Sequence, residues 1–303
     1  MIRTLDPGSG MLLATLRGTA ARMEKAQREI SSGLRVNSAS DAPDQVGDIL
    51  ALRAALMSNQ QIRVNLERSR SEAETADAAL GRAVQVLDRA VSLAVAGAGS
   101  LNESGRAAIA EEVRGLEEQL AALSRTTYGD RYLFSGDLDR EPSYRMAPGG
   151  GVERLISPSA TRQVQHPCGV AFTVSRTAQE IFDHRHPDDS PSAKNVFAAV
   201  SGLRAALEAG DGAGIEQALG RLRAASAHVN AQLGFYGAVE NRIAGAVADA
   251  ANLDLRLRAA LGERCDADVA ASIMELQQAQ LNQSAAMQAR GMAPRKSLFE
   301  YLR

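Results

Sequence analysis

Residues 11–34 read MLLATLRGTAARMEKAQREISSGL. Within them Leu13, Leu16, Ala20, Met23, Gln27, Ile30 and Leu34 recur at intervals of 3, 4, 3, 4, 3 and 4. That is the spacing of a coiled-coil seam, with Gln27 its one polar member. Ser31-Ser32-Gly33 ends the stripe, and the irregular stretch NSASDAPDQ follows. Glycine and proline both break helices, so Gly33 and Pro43 bracket a boundary.

The pattern continues outward from this helix. A second helix is expected to start near Asp44, a good cap, and to run to about Gly97. Its seam is Ile62, Leu66, Ser69, Ala73, Ala76, Leu80, Val84, Leu87, Val91 and Ala94. At 1.5 Å per residue it is ~80 Å long, which implies a rod. A third helix, capped by Asn102 or Ser104, carries Ile109, Val113, Leu116, Leu120 and Leu123. The period then changes. TTYGDRYLFSGD (126–137) reads as a β-hairpin turning at Gly129-Asp130.

Six of the nine prolines lie between residues 137 and 191. Proline clustering there predicts turns and short strands, with GVERLIS and GVAFTVS as strand candidates. Helical spacing resumes at Ala193. AGDGAG interrupts it, and a seam from Ile215 reaches Leu261, where Gly262 is expected to break the helix. Asp266 or Asp268 then caps a last helix bearing Ile273, Leu276 and the uncharged run LQQAQLNQSAAMQA.

Composition agrees with close-packed helices. Ala fills 55 of the 303 positions, aromatics are 4%, and Trp is absent. The fold expected is mainly α: a long antiparallel helical rod formed by the N- and C-terminal halves, with a small β-rich inserted domain. The boundaries expected are 1–43 with 265–303 for terminal helices forming an inner assembly core. The helical rod with its hairpin covers 44–136 with 192–264, and the β-rich outer domain covers 137–191.

The net charge is −2 and the pI about 6.1. No basic surplus points to nucleic acid. No run approaches the ~18–20 apolar residues of a membrane span, and the opening residues lack the pattern of a secretory signal. Cys168 and Cys265 are expected to be free thiols. FDHRHPDD (182–189) holds the densest set of potential metal ligands, His184 and His186 with Asp183, Asp188 and Asp189, and reads as a polar loop. His166-Pro167-Cys168 lacks a nearby second cysteine for zinc. No catalytic constellation and no phosphate loop has supporting context. No enzyme activity, cofactor or metal is expected.

Three motifs carry a resemblance. ISSGLRVNSASDAP (30–43) resembles the N-terminal signature of bacterial flagellins and their hook-associated relatives. TTYGDRYLFSG (126–136) is similar to the end of their N-terminal helical half. The stretch from AQLGFYGAVENRI to SLFEYLR resembles their C-terminal half. RYLFSG and SLFEYL are more similar to the branch that joins hook to filament than to filament flagellin. The chain departs from the family pattern at Asp41-Ala42-Pro43-Asp44 and at Arg125.

The resemblance implies a structural subunit of the flagellum, exported through the flagellar type III apparatus and extracellular. It implies self-assembly into a ring-like helical layer, contact with the first hook-associated junction protein and with flagellin, and an export chaperone. Contacts for assembly are expected at Leu13, Leu16, Met23, Ile30 and Leu34. At the other end they are expected at Ile273, Leu276, Leu281, Leu298, Phe299 and Leu302. The alternatives are a short filament flagellin and an intracellular helical-hairpin regulator.

Overall fold

The computed structural model describes residues 7–99, 102–147 and 150–292. Seven helices and six short strands are found among them: α1 (Pro7–Ser32), α2 (Val46–Gly97), α3 (Glu103–Leu123), β1 (Thr127–Tyr128), β2 (Arg131–Tyr132), β3 (Tyr144–Met146), β4 (Val152–Arg154), β5 (Gln163–Gln165), β6 (Ala171–Thr173), α4 (Ala178–Ile181), α5 (Val196–Ala209), α6 (Gly212–Cys265) and α7 (Val269–Met292). Mainly helical architecture with a small strand-bearing insert is thus as the sequence indicates. The chain divides into two compact units, 1–58 with 254–303 and 59–253, so each division falls inside a long helix.

In the larger unit, α2, α3, α5 and α6 share one core. Leu66, Leu80, Leu87, Val113, Leu120, Leu203, Leu222, Val229 and Ile243 are buried in it. Ala73, Ala76, Ala79, Ala83, Ala90 and Ala94 line the α2 side. Alanine offers little bulk, so the axes approach closely and dispersion contacts accumulate. The Asn59 amide, 2% exposed, donates to the Ala250 carbonyl at 2.8 Å. The pairing of Asn59 with Ala250, and the packing of Ala73 and Ala76 beside Tyr236, make α2 and α6 antiparallel here.

The helix ends follow local chemistry. Asn102 accepts from Gly105 N and caps α3. Asn195 accepts from Ala198 N and caps α5, which ends on Gly210 in the left-handed region. Thr177 and Glu180 form a reciprocal capping box on α4. The helix α6 runs straight through Gly262, contrary to the sequence expectation. A single glycine costs about 1 kcal/mol in a helix, which the packing of neighbouring Leu261 and Cys265 offsets.

The strands form three separate antiparallel pairs, β1–β2, β3–β4 and β5–β6. Two-residue and three-residue ladders are weak alone. Rings hold the insert instead. Phe182 lies 5.9 Å from both Phe134 and Phe197, and Tyr144 lies 5.1 Å from Phe197. The Tyr144 hydroxyl donates to buried Asp183 at 2.9 Å, and burial pushes that phenol up. Gly136 has a φ of 58°, and a Cβ there would strike the Ala160 carbonyl, so this turn of RYLFSG demands glycine.

The smaller unit contains α1 and α7, which pack along one another in opposite directions. Gly33, with a φ of 69°, ends α1. Arg35 N then donates to the Cys265 carbonyl at 2.7 Å and Ala267 N to the Gly33 carbonyl at 2.9 Å. Val36, Ala42, Ile49 and Cys265 form a second, small core, with Leu34 and Leu261 packed against it.

Candidate assembly interface

The α1–α7 pair buries a narrow seam. On α1 the covered side chains are Leu12, Leu16, Thr19, Met23, Ala26 and Ile30, spaced 4, 3, 4, 3 and 4; on α7 they are Ser272, Leu276, Ala279, Gln283 and Ala286, spaced 4, 3, 4 and 3. The deepest of these are small: Ala26 and Ala279 at 2% exposure, Ser272 at 5% and Thr19 at 7%. Small residues at the centre let the backbones approach, and the larger Leu16, Met23, Ile30 and Leu276 close over the flanks.

This corrects the sequence reading of α1. Leu16, Met23 and Ile30 do face α7, but Leu13, Ala20 and Gln27 do not. The alternate positions are Leu12, Thr19 and Ala26, one residue earlier. Both sets satisfy a 3–4 alternation, and at 3.6 residues per turn a hydrophobicity rule prefers the leucine at 13 over the threonine at 19. Packing of small residues decides the face.

A second set of apolar side chains remains uncovered. Met11 is 77% exposed and Leu13 43% on α1; Ile273, Met274, Leu281 and Met287 are 42%, 64%, 63% and 60% exposed on α7. The α7 members share their helix with a run of glutamines and Asn282. Two internal bonds exist there, Gln278 to Asn282 at 3.1 Å and the Ser284 hydroxyl to the Leu281 carbonyl at 2.8 Å. No charged side chain occurs between Glu275 and Arg290. At about 100° per residue Met11 and Leu13 fall on opposite sides of the α1 seam and the four α7 side chains span a broad face, so together they offer a wide, partly apolar surface to a neighbour.

The structure thus places the expected contacts in three settings. Leu16, Met23, Ile30 and Leu276 are half-buried in the seam, while Leu13, Ile273 and Leu281 are exposed. Leu34 belongs to the second core at the turn leaving α1. Leu298, Phe299 and Leu302 lie outside the described residues. Sequence reasoning missed Met274 and Met287, which fall off the 3–4 alternation.

The turn after α1 is rigidly built. Asp41 accepts from Ser38 N at 2.7 Å and Asn37 N at 3.0 Å, and these backbone bonds hold its carboxyl below the usual range. Arg35 donates to the Arg264 carbonyl at 2.6 Å and to Gln45 at 3.2 Å, and Arg264 pairs with Asp48.

The His-Asp loop is organised by internal bonds. Asp183, 2% exposed, accepts from Tyr144, Arg185 and Asn195, the last at 2.6 Å. His184 shares a hydrogen bond with Ser192. An open, polar cleft of about 860 Å³ lies beside it, lined by residues including Glu180, His184 and His186. Among the described residues no group of three or more His, Cys, Asp or Glu is placed to hold a metal, and no helix is long and apolar enough to cross a membrane. Both thiols are free, Cys168 exposed and Cys265 buried.

Residues 9–138 match the bacterial flagellin N-terminal helical region. The chain is 27% identical over 206 residues to flagellar hook-associated protein 3 of Salmonella typhimurium, covering 65% of this chain and 63% of the relative. It therefore spans somewhat under two thirds of that relative's length. It is also 25% identical over 284 residues to a flagellin of Halalkalibacterium halodurans, covering 92% of each. Among solved structures, a putative flagellar hook-associated protein from Vibrio parahaemolyticus aligns with a TM-score of 0.64 at 20% identity, over 75% of this chain and all (100%) of that one. Hook-associated protein 3 of Legionella pneumophila aligns with a TM-score of 0.62 at 14% identity, over 71% and 98%. The chain thus resembles the bacterial flagellins and their hook-associated relatives, through the N-terminal helical region over residues 9–138 and through an alignment with a flagellin over 92% of each chain.

Proposed function

We propose that this protein is a non-catalytic structural subunit of the bacterial flagellum, placed in the layer that joins the hook to the filament. The observation that carries the reading is the double use of α1 and α7. One stripe staples the two helices together, and apolar side chains on their outer faces stay open. These open side chains suit burial against neighbouring subunits, and heterologous contacts of that kind build rings and helical layers. The uncharged glutamine-rich face of α7 suits enclosure among like helices, because an unpaired charge there would be costly to desolvate.

In this reading Leu13, Ile273 and Leu281 contact neighbouring subunits directly. Leu16, Met23, Ile30 and Leu276 hold the helix pair that presents them, Leu34 fixes the turn leaving α1, and Leu298, Phe299 and Leu302 extend the contact. The layer adjoins the first hook-associated junction protein on one side and flagellin on the other. The chain travels through the flagellar type III apparatus, escorted by an export chaperone, to an extracellular position.

A second reading is a short filament flagellin, favoured by the 92% coverage of the Halalkalibacterium relative. Abundance separates the two, because a junction subunit is a trace component of sheared filaments and a flagellin their bulk. The junction role itself is tested by electron microscopy of a deletion strain. Hooks without filaments, with flagellin in the medium, are expected; normal filaments overturn the role.

A further inference from the structure

A groove between α2 and α3 lies outside the terminal helices. It measures about 630 Å³ and is floored by Val86, Leu116, Ala122 and Leu123. Arg82 and Arg89 stand on its rim with Gln85 and Gln119. Arg89 pairs with Glu112 at 2.6 Å, whereas Arg82 has no acidic partner among the described residues. The groove thus has an apolar floor and an unspent cation at its edge.

The opposite charge gathers on the other flank of α2. Glu74 and Asp77 crowd Glu240 of α6; burial first, then these two carboxylates, push the Glu240 carboxyl up. The nearby cation is Arg70, which already pairs with Glu74 at 2.9 Å. At about 100° per residue, the Arg82–Val86–Arg89 face and the Glu74–Asp77 face are about 120° apart around α2. The side toward α3 is therefore apolar and basic, and the side toward α6 is acidic. One molecule cannot bring these two sides together.

We propose that the α2–α3 groove of one copy receives the acidic α2–α6 flank of a second copy, with Arg82 set against Asp77 and Glu240. The pairing is heterologous, so each copy keeps one free groove and one free flank, and repetition closes a ring or extends a helical layer. Asp77 and Glu240, which share one nearby cation, Arg70, with Glu74, gain a second, and the apolar floor loses its water. Charge pairs of this kind fix register between copies more than they add affinity. The proposal deepens the junction reading by assigning a lateral contact to the larger unit, and it rests on that reading.

The full chain is tested in the deletion strain. Wild-type chain must first restore filaments; if it does not, the junction reading fails and this proposal falls with it. Arg82→Glu and Asp77→Lys, each alone, are expected to lower the fraction of filamented cells about tenfold. The double variant is expected to return to within about twofold of wild type, as opposed charges exchange places. Far-ultraviolet circular dichroism of the purified variants shows that helix content is kept. As a second readout, Gln119→Cys with Asn241→Cys, in a Cys168→Ser background, places a thiol beside each surface. A bismaleimide applied to isolated flagella is expected to yield a ladder of multimers of this chain. Filamentation unchanged by either single variant, a double variant no better than the singles, or cross-links to another protein in place of the ladder overturns the proposal.

Discussion

The Ser272 hydroxyl of α7 donates to Glu29 of α1 at 2.8 Å, one turn from the end of α1. Glu29 also meets Lys25 at 3.8 Å on its own helix. This link sets the register of the antiparallel pair: with it made, Ala26 and Ala279 fall on the covered faces, and Leu13 and Leu281 point to solvent.

The observed seam and the seam read from hydrophobicity make opposite demands on α1. Ala26→Leu adds bulk at a 2% exposed position and is expected to destabilise the terminal unit by about 1–3 kcal/mol. Ala20→Leu, on the exposed face, is expected to leave it unchanged. Limited proteolysis of the two purified variants checks this, through faster release of α1 from the first alone. Equal protection in both contradicts the seam described above.

Substitutions at the exposed apolar positions separate folding from assembly. Leu281→Asp changes a side chain that is 63% exposed, so circular dichroism should match wild type. Motility in soft agar should be lost, since a buried charge without a partner costs several kcal/mol in every repeated contact. Leu16→Asp and Leu276→Asp are also expected to block assembly, but these residues lie in the seam, so the helix pair should loosen too. A motile Leu281→Asp strain would remove this side chain from the interface.

Glu117 gives a pH dependence with a definite sign. It is 1% exposed, accepts from Arg204 at 3.3 Å, and has one carboxylate oxygen without a partner. Desolvation outweighs the Arg204 attraction and raises its carboxyl above the ordinary value of 4.5. The folded state therefore holds this proton more tightly than the unfolded chain. The stabilisation from protonated Glu117 is full below pH 4.5 and is lost as pH rises through the folded value. Glu117→Gln should remove that slope, seen as the difference between wild-type and variant urea midpoints from pH 4 upward. Arg204→Met should be the harsher change, costing about 3 kcal/mol or more at neutral pH by leaving the carboxylate buried alone. A wild-type curve parallel to that of Glu117→Gln would contradict the assignment.

Tyr144 and Asp183 make the corresponding test in the insert. Tyr144→Phe removes one of three donors to a buried carboxylate, an expected loss of about 1–3 kcal/mol. Near-ultraviolet circular dichroism, which reports the Phe134–Phe182–Phe197 cluster, should fade at lower urea than in wild type. An unchanged midpoint would mean that Arg185 and Asn195 satisfy Asp183 alone.

Much of this architecture was legible because long amphipathic helices repeat their signal over many turns. The stripe from Leu66 to Ala94 on α2, the Asn102 cap and the hairpin at Gly129-Asp130 were all marked by residue type. The face of α1 was not, since Leu13 and Leu12 compete and only the close approach of Thr19 and Ala26 to α7 resolves them. Gly262 misled because local propensity says nothing of what Leu261 and Cys265 pack against. In the insert, GVERLIS and GVAFTVS revealed one strand of each pair. Their partners at Tyr144–Met146 and Gln163–Gln165 sit in polar stretches without the β-branched runs that mark GVERLIS and GVAFTVS. Asp183 looked like a candidate ligand because its donors, Tyr144 and Asn195, are 39 and 12 residues away.

The exposed apolar face of α7 is tested most directly by its own accessibility. In a Cys168→Ser background, Leu281→Cys is labelled with a maleimide, first in the purified chain and then in isolated intact flagella. Fast labelling of the free chain and protection in the flagella are the outcomes expected. Equal labelling in both states would mean that no neighbouring subunit covers α7, and the assembly role given to this helix would be wrong.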